Sequence, residues 1–273
     1  MKKENKKGHL HPITQFTREV VDIFSDMGFV VAEGPELETE FYNFDALNIP
    51  ADHTSRDMQD TFWVKTKGEA GDSFSSLAKL ALSSHSFGEK LKQSSASENE
   101  SPASPKDRLV MRTQTSAVQV RFLEKHKDSL PCAIIVPGKV FRNEATDAVH
   151  EVQFTQLEAL FVDKDVSLGH LKGVIEHFLK KLYGNSVEIR FRPSFFPFVE
   201  PGIEVDMKLN DKWLEMGGAG MVHPNVFKTA GIDPQVWKGF AFGFGIDRLV
   251  MRQHNITDIR LLYDGDLRFI NQF

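Results

Sequence analysis

The feature that most constrains this fold is a succession of strand-like segments in the second half of the chain. Six segments there alternate apolar and polar residues with a period of two, as strands with one buried face do. They cover residues 133–136, 140–144, 153–163, 187–192, 203–209 and 213–216. One clear helical stripe interrupts them at residues 168–182, between Ser167 as N-cap and Gly184 as stop. This order predicts an α+β fold with a mostly antiparallel sheet flanked by helices.

The first half and the end of the chain add four predicted elements. Apolar residues at three- and four-residue steps predict a helix over residues 12–27. A short strand at Phe29–Val31 is expected to end at Gly34-Pro35. Residues 36–47 are predicted to be helical, and residues 243–254 to form a last helix entered through a glycine turn. Asn210-Asp211 predicts a tight hairpin between the last two strands.

Length and composition indicate one globular domain over residues 1–273. The chain is 41% hydrophobic and 26% charged, so it has enough apolar surface for a core. Its net charge of −5 means that any nucleic-acid contact must use a local patch or a partner. The single cysteine, Cys132, lies in an apolar run and is interpreted as a packing residue. Without a long apolar stretch or a signal peptide, we expect a soluble, cytoplasmic protein with no membrane contact.

Residues 66–107 differ in composition from the rest of the chain. They contain 11 serines and end in a stretch of Ser, Glu, Asn and Pro that has little apolar surface. Such a segment cannot offset the entropy of ordering its backbone. We therefore predict a low-complexity, disordered insertion within the domain, and a solvated segment is favoured over a binding one.

Several polar residues are predicted to share one open sheet face. Period two directs Arg142 and Glu144 to the same side of one strand, and it directs Phe154, Gln156 and Glu158 to one side of the next strand. Such a face suits a ligand with a phosphate for arginine, a ring for stacking and an amine for the carboxylates. For a single strand, an ordinary solvated face is the favoured alternative. The phosphate-loop, dinucleotide-binding, HExxH and GxSxG motifs are not found, so a nucleotide would bind by another route.

Two further segments strengthen the case for a ligand site. Gly243–Arg248 leads into a helix whose first-turn amides favour an anion. Arg248 lies where it could bind a terminal phosphate. Taken alone, such glycines more often mean close packing. Ser194–Pro201 carries four large apolar side chains between prolines. Aromatic clusters usually belong to the core, but the prolines disfavour a regular buried strand, and a pocket wall is predicted instead.

These segments resemble a known family. Gly34-Pro35, Phe141–Glu144 and Gly243–Arg248 resemble, in order, the three motifs of class II aminoacyl-tRNA synthetases. Five more segments resemble the alpha subunits of bacterial phenylalanine–tRNA ligases, namely Asp60–Trp63, Arg112–Ser116, Phe196–Pro201, Gly220–Asn225 and Gly239–Gly243. The resemblance covers nearly the whole chain except residues 66–107. It implies the class II synthetase catalytic fold.

The resemblance also implies a role for each matching residue. Arg142 and Arg248 would be the catalytic arginines on the ATP phosphates, with Glu144 on the adenine amine, Phe154 stacked on adenine and His150 near the phosphates. Glu200 would be the ligand of Mg²⁺. The ammonium and carboxylate of the amino acid would lie among Trp63, Ser116, Gln119, Gln156 and Glu158. The side-chain pocket would be formed by Phe196, Phe198, Val199 and Ala241.

The implied activity is formation of phenylalanyl-adenylate from L-phenylalanine and ATP, followed by transfer to tRNA(Phe). The implied assembly is two alpha and two beta subunits. Family members usually carry an N-terminal helical arm that reaches tRNA, and we expect this arm to be absent here. Two alternatives are a non-catalytic synthetase-like protein that binds RNA or a partner, and a ligase for another amino acid. Intact Arg142, Glu144, Glu200 and Arg248 disfavour the first, while the aromatic wall and Ala241 disfavour the second.

Overall fold

The computed structural model describes residues 8–64, 108–209 and 211–273, which form two sheets with helices packed on them. The predicted insertion at 66–107 lies outside these residues. No helix in the described ranges is both long and apolar enough to cross a membrane. The strands are β1 (Val30–Val31), β2 (Leu37–Thr39), β3 (Trp63–Val64), β4 (Leu109–Met111), β5 (Cys132–Phe141), β6 (Gln153–Asp163), β7 (Glu188–Phe196), β8 (Val199–Leu209), β9 (Lys212–Val222) and β10 (Lys238–Gly245). The helices are α1 (Pro12–Asp26), α2 (Glu40–Asn43), α3 (Ala117–His126), α4 (Leu168–Tyr183), α5 (Pro224–Thr229), α6 (Ile246–Gln253) and α7 (Leu267–Ile270).

The larger sheet has the strand order β1-β5-β6-β10-β9-β8-β7. All of its neighbouring strands are antiparallel except β1, which pairs parallel with β5. The mostly antiparallel α+β fold predicted from the sequence is therefore confirmed. A second antiparallel sheet has the order β2-β4-β3, and short 3-10 turns occupy Asp45–Leu47, Thr54–Arg56, Lys127–Ser129 and Ile259–Leu262.

The two predicted amphipathic helices form as expected and cover the same face of the large sheet. In α1 the first helical residue is Pro12, whose fixed φ suits that position, and Phe16, Val20 and Phe24 are buried. Helix α4 begins with a capping box between Ser167 and His170. It ends before Gly184, whose φ of 89° is accessible to glycine at little cost.

Phenylalanine rings fill the core between these helices and the sheet. The Phe24 ring lies 4.8 Å from that of Phe178 on α4 and 5.9 Å from that of Phe242 on β10. Phe242 in turn lies 5.2 Å from Phe244. Contacts at these centroid distances add to the burial of each ring. These four phenylalanines thus connect three elements that are far apart in sequence.

The segments predicted as two strands, 133–136 and 140–144, are one strand, β5, which runs through Pro137 and ends at Phe141. The carbonyl of Ile135 accepts a bond from Ala32 on the β1 side, so the nitrogen of Pro137, two residues later, faces the same side. Strand β1 pairs only as far as Ile135, and the proline therefore interrupts no ladder bond. Arg142 and Glu144 lie beyond the strand, contrary to the prediction.

The prediction of a helix over residues 36–47 is wrong at its start. Leu37–Thr39 is a strand because it pairs with β4, a partner more than 60 residues away that local periodicity cannot reveal. The Thr39 hydroxyl then accepts a bond from the Tyr42 amide and caps α2. Only Glu40–Asn43 and the following 3-10 turn are helical.

Prolines and glycines concealed much of the sheet from sequence analysis. Strands β7 and β8 continue through Pro193 and Pro201, although the prolines predict that no regular strand forms there. Pro193 lies on the edge strand β7 in register with Ile203, and the register shift between Val199 and Gly202 spans Pro201. The predicted strand 213–216 extends through the glycine-rich segment to Val222. Strand β10 and helix α3 were not predicted, and the last helix begins at Ile246, not at 243.

Arg112 closes the part of β5 that β1 leaves open. Its guanidinium donates to the carbonyls of Lys139 at 2.7 Å, Gly34 at 3.0 Å and Pro35 at 3.4 Å. Its own carbonyl accepts from the Phe141 amide at 2.9 Å. Arg112 therefore supplies, with one buried residue, bonds that an additional strand would otherwise make. At the start of β5, Cys132 packs against the core as expected, and desolvation raises the pKa of its thiol to about 11.

A pair of glycine substitutions should separate close packing from helix propensity. A Cβ at Gly217 on β9 would collide with the Gly243 carbonyl and the Phe244 ring, whereas a Cβ at Gly173 on α4 meets nothing within 4 Å. We expect Gly217→Ala to lower the free energy of unfolding by roughly 1–3 kcal/mol. Gly173→Ala should raise it by roughly 0.5–1 kcal/mol. Urea denaturation of both variants measures this, and equal effects would contradict the packing argument.

Candidate active site

A cleft of about 730 Å³ opens over β6, β9 and β10, between the β7–β8 connection and the loop that follows β5. It is bounded by side chains from strands that are distant in sequence but adjacent in the sheet. Twelve of the predicted site residues line it, namely Ser116, Arg142, Glu144, His150, Phe154, Gln156, Glu158, Phe196, Phe198, Val199, Ala241 and Arg248. The structure therefore brings most of the predicted site together.

One end of the cleft is positively charged. The Arg142 guanidinium lies 5.1 Å from the centre of the Phe154 ring and 4.0 Å from a Glu144 oxygen. Desolvation in the cleft lowers the pKa of Arg142, Glu144 opposes that change, and the charge of Arg248 lowers the pKa further. The two arginines thus repel each other, so an anion between them would be stabilised by both. Arg248 also donates to the Glu215 carbonyl at 3.2 Å, which orients it.

The loop between β5 and β6 carries His150 at the cleft wall. The His150 Nδ1 lies 3.0 Å from an Asp147 carboxylate oxygen. Asp147 also accepts from the amides of Val149 and His150, at 2.7 and 2.8 Å. These bonds, the Val149 amide first, lower the pKa of Asp147 to about 2. Asp147 therefore stays ionised at neutral pH and orients the imidazole.

The opposite end of the cleft holds a buried carboxylate. Glu158 on β6 is 3% exposed and accepts from the Gln119 amide at 2.8 Å. None of the ion pairs between described residues includes Glu158. Desolvation raises its pKa to about 8, while hydrogen bonds from Ser116 and Gln119 act in the other direction. A ligand ammonium would supply the missing opposite charge.

Glycine opposite Glu158 makes room for this carboxylate. Gly243 on β10 is its cross-strand partner, and a Cβ there would lie 2.8 Å from Glu158 Oε2 and 2.9 Å from Gln156 Nε2. Gln156 also accepts a bond from the Thr115 amide at 3.2 Å. The polar end of the cleft thus depends on the absence of a side chain at position 243.

An aromatic wall forms the apolar part of the cleft. The rings of Phe196 and Phe198 stack with their centroids 6.0 Å apart. A Cβ at Gly218 would lie 2.7 Å from the Phe196 ring, so this glycine allows the ring to lie against β9. Ala241 on β10 is buried and belongs to the same apolar cluster as Phe198. The wall suits a flat apolar group of limited length.

Three predicted site residues are not among those that line the cleft. Gln119 lies behind it and acts through its bond to Glu158. Trp63 lies on β3 of the smaller sheet, where its ring packs on that of Phe44 and its Nε1 donates to the Arg56 carbonyl. Glu200 is largely exposed, with one carboxylate oxygen 3.4 Å from His223 Nε2. The roles assigned to these residues stay predictions.

Comparison with known proteins identifies the family. The protein-family model described as "tRNA synthetases class II core domain (F)" matches residues 1–273. The chain belongs to the class II tRNA synthetases. Three relatives are named phenylalanine–tRNA ligase alpha subunit. They come from Synechocystis sp. (43% identical over 267 residues, 98% of this chain and 68% of the relative), Rhodopirellula baltica (46% over 266, 97% and 69%) and Bacillus subtilis (42% over 278, 97% and 69%).

Family membership confirms the resemblance inferred from the motifs. A class II synthetase is an ATP-using ligase of protein biosynthesis, and the non-catalytic alternative is not favoured. Arg142 and Glu144 of one motif meet Arg248 of the other at the positively charged end of the cleft, which is the end suited to a polyphosphate. The arrangement of this synthetase therefore agrees with the chemistry that its family performs.

Sequence reasoning missed several residues that line the synthetase cleft. They are Ile49, His53, Ser55, Asp60, Thr113, Gln114, Val149, Glu151, Glu204, Glu215, Met216, Asp247 and Ile259. Four of them lie within segments that resemble the family: Asp247 adjoins Arg248, Asp60 begins Asp60–Trp63, and Thr113 and Gln114 lie within Arg112–Ser116. Of the others, Glu204, Glu215 and Met216 lie within β8 and β9, and the rest lie in loops and turns whose approach to the cleft depends on tertiary contacts.

The buried Glu158 should make the stability of the unliganded synthetase depend on pH. Its folded pKa of about 8 exceeds the ordinary value of 4.5, so the folded state binds more protons between these values. Its contribution is therefore fully present below about pH 4.5 and is lost as the pH rises through about 8. We expect Glu158→Gln to remove this loss, so that the variant gains stability over the wild type as the pH rises.

Urea denaturation at pH 5, 6.5 and 8.5 measures the difference between the two proteins. Glu33→Gln, which removes an exposed carboxylate, is the matched control and should follow the wild type at all three values. A constant difference between Glu158→Gln and the wild type would show that Glu158 titrates normally.

Proposed function

We propose that this chain is the catalytic alpha subunit of a phenylalanine–tRNA ligase. It activates L-phenylalanine with ATP and transfers the phenylalanyl group to the terminal ribose of tRNA(Phe). The observation that carries the proposal is one cleft with paired arginines at one end, a buried unpaired carboxylate at the other and a phenylalanine wall beside Ala241. The names of the relatives support the same substrate.

The amino acid binds by its charge and by its ring. Its ammonium pairs with Glu158, and Gln156, Gln119, Ser116 and Trp63 are the predicted partners of its polar groups. Its ring enters the space beside Phe196, Phe198, Val199 and Ala241. Pairing with the ammonium lowers the pKa of Glu158, so binding near neutral pH releases a proton.

ATP binds at the arginine end. The adenine stacks on Phe154 and its amine meets Glu144, while Arg142, Arg248 and His150 hold the phosphates. A carboxylate oxygen of phenylalanine attacks the α-phosphorus in line, a new P–O bond forms, and pyrophosphate leaves with the bonding electrons. The arginines stabilise the charge that develops on the phosphate oxygens.

Magnesium enters this proposal with ATP. Among the described residues, no group of three His, Cys, Asp or Glu is placed to hold a metal, and Glu200 offers a single exposed carboxylate. Mg²⁺ is commonly bound by one or two carboxylates together with substrate phosphates, so these residues fit a metal that arrives on the nucleotide. The metal would neutralise phosphate charge. Glu200 stays its predicted protein ligand.

A beta subunit is the proposed partner, in an assembly of two alpha and two beta chains in the cytoplasm. Val30 and Val31 on the edge strand β1, and Leu10 ahead of α1, are exposed apolar residues on neighbouring elements. Such surfaces mark interfaces. The relatives' name, alpha subunit, supports a second kind of chain. The direct test of the activity is phenylalanine-dependent ATP–pyrophosphate exchange by this chain co-expressed with a beta subunit.

Removing either cleft arginine should abolish most activation. We expect Arg142→Ala and Arg248→Ala each to slow pyrophosphate exchange by on the order of a hundredfold or more, because each loses a charge-assisted contact at developing negative charge. Arg268→Ala, which removes an arginine paired with Asp266 outside the cleft, is the control and should retain activity. Full exchange in a folded Arg142 or Arg248 variant would refute the proposed roles.

Position 241 should set the size limit of the amino acid. Tyrosine would bury a hydroxyl without a partner beside Ala241, at a cost of roughly 1–3 kcal/mol plus any steric clash. Ala241→Gly should admit para-chlorophenylalanine, which adds volume without a hydrogen-bonding group, and Ala241→Val should hinder phenylalanine itself. Pyrophosphate exchange with phenylalanine, para-chlorophenylalanine and tyrosine compares the three proteins. If the glycine variant still excludes the chloro compound and the valine variant is unaffected, Ala241 does not line the pocket.

A further inference from the structure

A buried aspartate connects strand β6 with helix α6, the two elements that carry Phe154 and Arg248. Asp247, in the first turn of α6, is 2% exposed. One of its carboxylate oxygens accepts from the Thr155 amide at 2.5 Å, and the other accepts from the Tyr263 hydroxyl. Thr155 lies between Phe154 and Gln156 on β6, and Arg248 follows Asp247 directly. The carboxylate therefore fixes Phe154 and Arg248 relative to each other.

The 3-10 turn at Ile259–Leu262, with Tyr263 after it, adds a second connection. The Ile259 amide donates to the Ala148 carbonyl at 2.9 Å, within the loop that carries His150. The turn is itself held at its other end, where His11 Nε2 lies 2.9 Å from the Leu262 carbonyl oxygen. One short segment near the end of the chain thus contacts the loop of His150 and, through Asp247, the elements of Phe154 and Arg248.

We propose that Tyr263 and Asp247 are positioning residues that hold the ATP-binding groups in place before the nucleotide arrives. Tyr263 is not among the residues that line the cleft, so it acts through Asp247. A site held in its bound geometry loses less conformational freedom on binding, and this raises affinity without a new contact. The inference rests on the proposed function only in requiring that the cleft binds ATP.

Tyr183 provides a matched comparison. Its hydroxyl donates to the Leu249 carbonyl at 3.0 Å, so it also bonds a residue of α6. That bond joins α6 to α4 and reaches neither β6 nor the loop of His150. Desolvation raises the pKa of both tyrosines, so both hydroxyls stay protonated donors at neutral pH. Removal of either hydroxyl deletes one partly buried hydrogen bond, but only the bond of Tyr263 belongs to the ATP-binding arrangement.

The test measures Mg·ATP affinity by isothermal titration calorimetry, without amino acid, on the assembly formed by co-expression with a beta subunit. We expect Tyr263→Phe to raise the Kd for Mg·ATP about fivefold, the change equivalent to one hydrogen bond of about 1 kcal/mol. Tyr183→Phe should leave this Kd unchanged. In pyrophosphate exchange, Tyr263→Phe should raise the KM for ATP and leave the KM for phenylalanine and kcat unchanged.

Thermal unfolding of each variant shows whether it is folded. Asp247→Asn is a second test variant, and we expect it to weaken Mg·ATP binding in the same way. An unchanged Kd in folded Tyr263→Phe, or equal weakening in both tyrosine variants, would overturn the inference. Because ATP binding is measured without phenylalanine, a wrong amino-acid assignment would appear only in the exchange reaction and would leave this result intact.

Discussion

The antiparallel pairing of β6 with β10 is the constraint on which the site depends. Its register places Glu158 opposite Gly243 and Gln156 opposite Gly245, so each polar cleft residue of β6 faces a residue with no side chain. A shift of one residue would exchange the two faces of β6 and send Glu158 into the phenylalanine core. Core packing and cleft chemistry are therefore fixed by the same hydrogen-bonded ladder.

The cleft separates its charges along its length. Two mutually repelling arginines lie at one end, and a buried carboxylate whose pKa is raised by desolvation lies at the other. A polyphosphate would relieve the repulsion between the arginines, and an ammonium would supply the charge opposite to Glu158. Occupancy of both ends together relieves both conditions, whereas occupancy of one end relieves only one. Electrostatic complementarity of this kind favours the two substrates together and gives specificity more than raw affinity.

Sequence periodicity predicted the parts of the site that depend on strand alternation. Phe154, Gln156 and Glu158 line the cleft because residues two apart share a face, and this holds in any correctly paired strand. Strand β10 escaped prediction because its alternating glycines provide no polar face, and the strand at Leu37–Thr39 escaped because its partner is distant in sequence. Asp247 and Ile259 reach the cleft only through tertiary bonds. The family resemblance supplied the residue roles that periodicity cannot give.

The way in which Arg112 closes β5 has a consequence for solubility. An uncovered strand edge exposes free amides and carbonyls, and these can pair with a second molecule. Here Arg112 bonds the Lys139 carbonyl and the Phe141 amide on β5, and its guanidinium also bonds the carbonyls of Gly34 and Pro35 after β1, so these groups are already paired. A single residue thus makes this stretch of the folded sheet's edge unavailable to strand addition by a second molecule.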